Sequence, residues 1–168
     1  MTLRAAERRR AAAPIIVAAL AALAVAGLGG LMTELGDWYY GLRQPPWKPP
    51  DWLFGPAWTL IFALAAISGV TAWRAIESRA QREWLLMLFA LNGFLYVLWS
   101  LLFFRLQRPD WALFEVAFLW LSIVVLVVFV GRHSRRAAWL LLPYLAWVSF
   151  AAVLNGAVVR LNAPFGAG

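Results

Sequence analysis

The side chains in this sequence that could do chemistry are amides, phenols and indoles set at helical spacing inside long apolar runs. Asn92 is followed by Tyr96 four residues on and by Trp99 seven on, and Phe103 continues the row, so all of them share one helix face. Tyr144, Trp147, Ala151 and Asn155 fall at offsets of 0, 3, 7 and 11, a second face with two aromatics, a small residue and an amide. Trp58 and Thr59 stand inside an earlier run, and Glu115 lies one turn past Trp111 in another. Such groups clasp a molecule more readily than they transform it: flat rings stack on a flat, largely apolar ligand and a few polar atoms orient it. The makings of an ordinary hydrolytic or redox enzyme are missing. The single histidine, His133, sits in an Arg-rich stretch between apolar runs, no two carboxylates share a run, and there is no phosphate-binding loop. The absence of cysteine excludes disulfides, thiol catalysis and Cys-ligated metals, and the expectation is a protein with no required cofactor and no metal site.

What positions these residues follows from composition. Of 168 residues, 64% are hydrophobic and only 14% charged. A soluble chain of this length has too much surface to hide so much apolar area, whereas a bilayer accepts it. Five apolar runs stand out: Pro14–Leu35, Leu53–Trp73, Trp84–Phe104, Trp111–Gly131 and Trp139–Val159. Each is about 21 residues, or ~30 Å as a helix, the thickness of a hydrocarbon core. Alternating patterns of a β-barrel are absent. The predicted fold class is an all-α membrane protein, a bundle of five transmembrane helices over residues 14–162, with a basic tail at 1–13 and a short tail at 163–168. The lipid bilayer is its first partner. The net charge of +7 flanks the apolar runs and is read as membrane orientation, not as nucleic-acid binding.

Arg8–Arg10 followed by an apolar stretch containing Ala24-Val25-Ala26 resembles a cleavable secretion signal, but the run continues to Leu35 and is read as a retained first helix. Its Ala18, Ala22, Ala26 and Gly30 form a small-residue stripe on which another helix, in the same chain or in a second copy, could pack. The N-terminus and the second and fourth loops carry Arg4, Arg8, Arg9, Arg10, Arg74, Arg79, Arg82, Arg132, Arg135 and Arg136; the opposite side carries only Arg43, Lys48, Arg105, Arg108 and Arg160. The positive-inside rule then places the N-terminus in the cytoplasm and the C-terminus outside. The Ala- and Arg-rich composition suggests a bacterial source and hence the cell membrane.

The first loop, Gly36–Trp52, holds Trp38, Tyr39, Tyr40, Trp47, Trp52 and the prolines Pro45, Pro46, Pro49 and Pro50. Proline fixes its own φ and restricts its predecessor, so the loop is stiff and is expected to fold as a lid over one mouth of the bundle. An interfacial aromatic belt would not need the prolines. Asn92 and Asn155 could serve only to hydrogen-bond between helices, at about 0.6–2 kcal/mol each. Trp58, Trp99 and Trp147, however, lie well inside their runs and suggest a chamber with aromatic walls. Residues expected at a ligand are Trp38, Tyr39, Trp47, Phe54, Trp58, Asn92, Tyr96, Trp99, Trp111, Glu115, Tyr144, Trp147, Ala151 and Asn155. Porphyrins, sterols and polycyclic drugs share the required flat, apolar shape. A transporter is a weaker expectation, because no internal repeat is visible, and a structural scaffold is the blandest one.

The segment Trp38–Thr59, WYYGLRQPPWKPPDWLFGPAWT, resembles the signature of the TspO/MBR family, the tryptophan-rich sensory and translocator proteins. Trp38-Tyr39, Leu42, Pro45, Trp47, Pro49-Pro50, Trp52, Gly55-Pro56 and Trp58 carry the likeness. Leu141–Asn162 is similar to that family's fifth helix through Pro143-Tyr144, Trp147, Phe150, Leu154-Asn155 and Arg160, and Trp99, Phe103-Phe104 and Trp111-Ala112-Leu113 fall at its spacing. The resemblance implies a five-helix bundle, commonly a homodimer, that binds porphyrin or haem-like tetrapyrroles and has a role in tetrapyrrole or stress physiology. By the same resemblance, Trp58 and Trp147 match tryptophans tied to a light-dependent porphyrin breakdown, and Trp111, Ala151 and Leu154 match the lining of a drug pocket. The chain departs from the pattern at Asn92 and Tyr96, where the family usually has Gln and Asn, at Glu115, where it usually has Asp, and at Gly156, where the sterol motif needs Tyr. Weak or absent sterol binding follows from the last departure, so a cholesterol titration of the purified protein is expected to give no sub-micromolar affinity.

Overall fold

Backbone immersed in hydrocarbon must satisfy its own N–H and C=O groups, and this chain does so with helices. The computed structural model describes residues 3–165, with side chains from Ala12 onward; Arg4, Arg8, Arg9 and Arg10 of the basic tail and residues 166–168 of the C-terminal tail lie outside the side chains described. In chain order the elements are α1 (Leu3–Met32), a short α2 (Asp37–Gly41), α3 (Phe54–Ala75) entered through a 3₁₀ turn at Asp51–Leu53, α4 (Arg79–Ser100) prolonged by a π-helical turn at Leu101–Arg105, α5 (Pro109–Gly131) and α6 (Arg135–Asn162). Five of these are long and apolar enough to cross a membrane.

The boundaries differ from those expected from the apolar runs in a consistent way. The first span ends at Met32, not Leu35, and the other helices extend past their apolar runs by one to several residues. Polar and capping residues continue a helix where hydropathy has already stopped. Ser134 accepts a hydrogen bond at 3.3 Å from the Ala137 N–H and so caps α6, and Pro109 opens α5, where its missing N–H is no loss. Between the π turn and α5 the chain reverses through Gln107, whose φ of 53° lies in the left-handed region, while the Arg108 N–H donates to the Leu102 carbonyl at 2.9 Å.

The five spans close into a circuit: α1 touches α3 and α4, α3 touches α6, α6 touches α5, and α5 touches α4. Away from the first loop the bundle is packed solid around Ala72, Ile76, Leu85, Leu126, Val130, Ala137 and Leu141. Midway lies a polar layer. Asn92 donates through Nδ2 to Ser122 Oγ at 2.8 Å and accepts at Oδ1 from the Tyr144 hydroxyl at 3.1 Å, while Ser122 donates to the Leu119 carbonyl at 2.7 Å, so α4, α5 and α6 are joined inside the membrane. Large apolar side chains such as Leu20, Phe114, Phe118 and Leu121 face outward, as lipid permits.

The small residues of α1 divide their work. Gly29, which is off the anticipated stripe, supplies the close approach: a Cβ there would stand 2.3 Å from the Tyr96 ring on α4. Gly93 does the reciprocal service for Val25 of α1, at 2.9 Å. Ala22, Ala26 and Gly30 of the stripe instead face a hollow. Gly29→Ala is therefore expected to overpack the α1–α4 contact and to destabilise the fold by about 1–3 kcal/mol, read by thermal denaturation in detergent. Adding Tyr96→Leu should relieve much of that loss, a coupling absent if the two residues do not touch.

Candidate functional site

The half of the bundle nearest the first loop is not filled. A cavity of about 920 Å³ lies between α1, α3, α4 and α6, floored by Tyr96 and Trp58 and roofed by the loop. It exists because aromatic rings lean on one another around its rim instead of meeting across it. Trp58 stacks on Phe62 at 5.5 Å, tilts against Tyr96 at 4.7 Å and meets Trp147 edge to face at 6.5 Å. Trp99 stacks on Phe103 at 5.2 Å, and Phe54 meets Trp147 at 5.6 Å. The remaining wall is small: Ala22, Ala26 and Gly30 on α1, Ala63 and Ala66 on α3, and Ala151 on α6.

Of the residues expected at a ligand, the cavity is lined by Tyr39 and Phe54 at its mouth, Trp58 on α3, Tyr96 and Trp99 on α4, and Trp147, Ala151, Leu154 and Asn155 on α6. The others stand elsewhere. Trp38 is partly buried against Phe103 at 6.1 Å and is not part of the lining. Trp47 is half exposed and leans on Phe150 at 6.0 Å. Asn92 and Tyr144 are consumed by the polar layer beneath the floor. Trp111 and Glu115 belong to α5, which contributes nothing to the lining. The inward stripe of α5 runs through Ala112, Val116, Leu119, Ile123 and Leu126, and all of it is spent on packing against α4 and α6. Trp111, on the edge of that stripe in the first turn, is 51% exposed with the Arg108 guanidinium 4.2 Å from its ring centre, an interfacial position. Glu115 is buried, and neither carboxyl oxygen has a hydrogen-bond partner among the described residues.

Asn155 lines the wall, yet both ends of its amide are occupied. Oδ1 accepts from Trp99 Nε1 at 3.2 Å and Nδ2 donates to the Pro109 carbonyl at 2.8 Å, which ties α6 to α4 and to the start of α5. Sequence reading missed the contribution of α1, since a stripe of small residues looks the same whether it faces a helix or a void. It also missed Lys48, Asp51 and Gln44, loop residues that a hydropathy scan has no reason to turn inward.

The roof is pinned. The Arg43 N–H donates to Asn162 Oδ1 at 2.7 Å and Asn162 Nδ2 returns a bond to the Arg43 carbonyl at 2.9 Å, so the loop is fastened to the end of α6. The Tyr39 hydroxyl donates to Asp51 Oδ1 at 2.8 Å, and Lys48 Nζ pairs with the same oxygen. Burial, and then the bond to Asp51, push the Tyr39 hydroxyl above the ordinary phenol range, so it remains a neutral donor. Glu34, just past α1, pairs with Arg105 at the π turn at 2.9 Å; both are largely exposed, and such a pair adds about 0–1 kcal/mol.

Comparison with known proteins agrees with this architecture. The model of the TspO/MBR family matches residues 16–161. The chain is 39% identical over 154 residues to the tryptophan-rich protein TspO of Archaeoglobus fulgidus, covering 89% of this chain and 97% of that one. It is 30% identical over 143 residues to the tryptophan-rich sensory protein of Cereibacter sphaeroides, covering 85% and 88%. Against the translocator protein of Homo sapiens it is 31% identical over 126 residues, covering 74% and 75%. With five apolar helices, a Pro/Trp-rich first loop and a match over nearly its whole length, this chain is a multi-pass integral membrane protein that belongs to the TspO/MBR family.

Proposed function

We propose that this protein is a membrane receptor or carrier that takes porphyrin-type tetrapyrroles, and similar flat apolar molecules, into the chamber beneath the first loop. The observation that carries the reading is the lining itself: Trp58, Tyr96, Trp99 and Trp147 converge from three helices on a volume of about 920 Å³. Drug- and cofactor-sized sites run to roughly 300–1,000 Å³ and are mostly apolar with a few polar groups. The names of its relatives, a sensory protein in Cereibacter sphaeroides and a translocator protein in Homo sapiens, fit a role in sensing or moving a small molecule. The arginine asymmetry of the loops supports a cytoplasmic N-terminus in a bacterial cell membrane, which puts the roof on the outer side.

Titrating protoporphyrin into the purified protein should give saturable quenching of tryptophan fluorescence. Trp147→Phe is expected to weaken binding about three- to tenfold, as for loss of one aromatic contact, and Ala151→Trp to abolish it by filling the wall. Trp139→Phe, on the outer face, serves as the control that leaves the titration intact. Linear, unsaturable quenching would count against the reading.

A second reading has one specific observation in its favour. Trp58 and Trp147 meet edge to face at 6.5 Å on the cavity wall, close enough for two indoles to exchange an electron with each other and with an excited ligand lying against them. Light-driven oxidation of the bound porphyrin, with dissolved dioxygen as the electron acceptor, predicts bleaching faster than that of free porphyrin and slowed by Trp58→Phe or Trp147→Phe. Equal bleaching rates would remove it.

A further inference from the structure

Among the described residues that line the chamber, only Lys48 and Asp51 carry charge, and both come from the roof. Lys48 is well covered, its side chain 15% exposed against 31% for Asp51. Its ammonium lies 5.4 Å from the centre of the Tyr39 ring and gives one of its donors to Asp51 Oδ1; the other two meet no protein acceptor among the described residues. The rest of the wall, including the rings of Trp58, Trp99 and Trp147, offers an apolar ligand face a place to lie but carries no second positive charge for an anionic edge. A carboxylate taken out of water without a partner is penalised heavily, and a charged donor compensates it better than a neutral one, so a ligand that carries one gains most by seating that edge at Lys48.

We propose that Lys48 is the anion-recognising residue of the chamber and that Asp51 restrains it, so the site prefers flat apolar ligands with a carboxylate at one edge over their neutral esters. This rests on the chamber being the ligand site. The two roof residues act with opposite signs. Lys48 attracts the carboxylate and supplies unused donors. Asp51, on the same spot, repels it and neutralises the lysine. Tyr39 donates to Asp51 and adds no charge of its own. A purely structural role for the pair, holding the loop closed, gives a different pattern: breaking it from either side would weaken every ligand alike.

The test uses the full-length protein in nanodiscs of zwitterionic lipid, so that no anionic headgroup competes for the lysine. Protoporphyrin and its dimethyl ester are titrated against wild type, Lys48→Gln, Lys48→Arg and Asp51→Asn, and the ratio of acid to ester affinity is read for each. Lys48→Gln is expected to lower that ratio about tenfold, Lys48→Arg to restore most of it, and Asp51→Asn to raise it several-fold. In wild type, added salt should weaken the acid more than the ester. A ratio that stays the same across the variants, or that falls equally in Lys48→Gln and Asp51→Asn, overturns the proposal while leaving the chamber reading intact. Absence of saturable binding by both compounds overturns the chamber reading, and this proposal with it. Were the variants to misfold, equal salt dependence of acid and ester in wild type would suffice to reject the idea.

Discussion

In a bilayer an apolar side chain gains nothing by leaving lipid for a neighbouring helix, so helices that enclose an unfilled volume have to be held by something other than hydrophobic burial. Here that restraint is a small set of hydrogen bonds among α4, α5 and α6. Asn92 joins Ser122 and Tyr144, and Asn155 joins Trp99 and the first carbonyl of α5. Each bond is worth only about a kilocalorie per mole. Together they fix the spacing of the helices whose rings form the floor and one wall, and α1 can then close the circuit through Gly29 and Gly93 without filling the space between. The polar residues inside the spans thus do structural work at one level and make the site possible at the next.

This layering explains which parts of the molecule were legible in the sequence. Span number, order and helical character follow from hydropathy and length, because the bilayer imposes both. The shared faces of Tyr96 with Trp99, and of Trp147 with Ala151 and Asn155, follow from the 3.6-residue period and reach the same cavity. The period cannot say which side of a helix meets the void and which meets a neighbour. Asn92 and Tyr144 sit on the right faces but one layer too deep. Trp111 and Glu115 lie on a helix whose inward stripe is spent on its neighbours and which adds nothing to the lining, information carried by the circuit order of the bundle and not by any single helix.

The loop presents the opposite case. Its prolines announced stiffness, but its fastening points are spread across the chain, at Asn162 on α6 and at Phe103 and Phe104 on the π turn. A π turn widens the helix locally and is a frequent companion of functional sites. Here it carries Phe103, which stacks on Trp99, and Phe104, which meets Tyr39, so the end of α4 and the roof form one aromatic unit. Trp38 packs on Phe103 of that unit, and Trp47 packs on Phe150 of α6.

Trp147 marks where structural and functional demands diverge. The indole N–H of Trp99 is satisfied by Asn155, which makes that ring part of the frame. The indole N–H of Trp147 is buried without a partner among the described residues, although the ring is braced by Phe54, Trp58 and Phe150. An unpaired buried donor costs about 1–3 kcal/mol, a loss that an apolar residue of similar shape would avoid. A ring kept there at that expense is better understood through the face it turns to the chamber than through any contribution to stability. The same logic bears on Lys48 and Asp51: Asn162 and aromatic packing also fasten the loop, so the proposed seat for an anionic ligand edge gives the pair's inward placement a use beyond holding the roof.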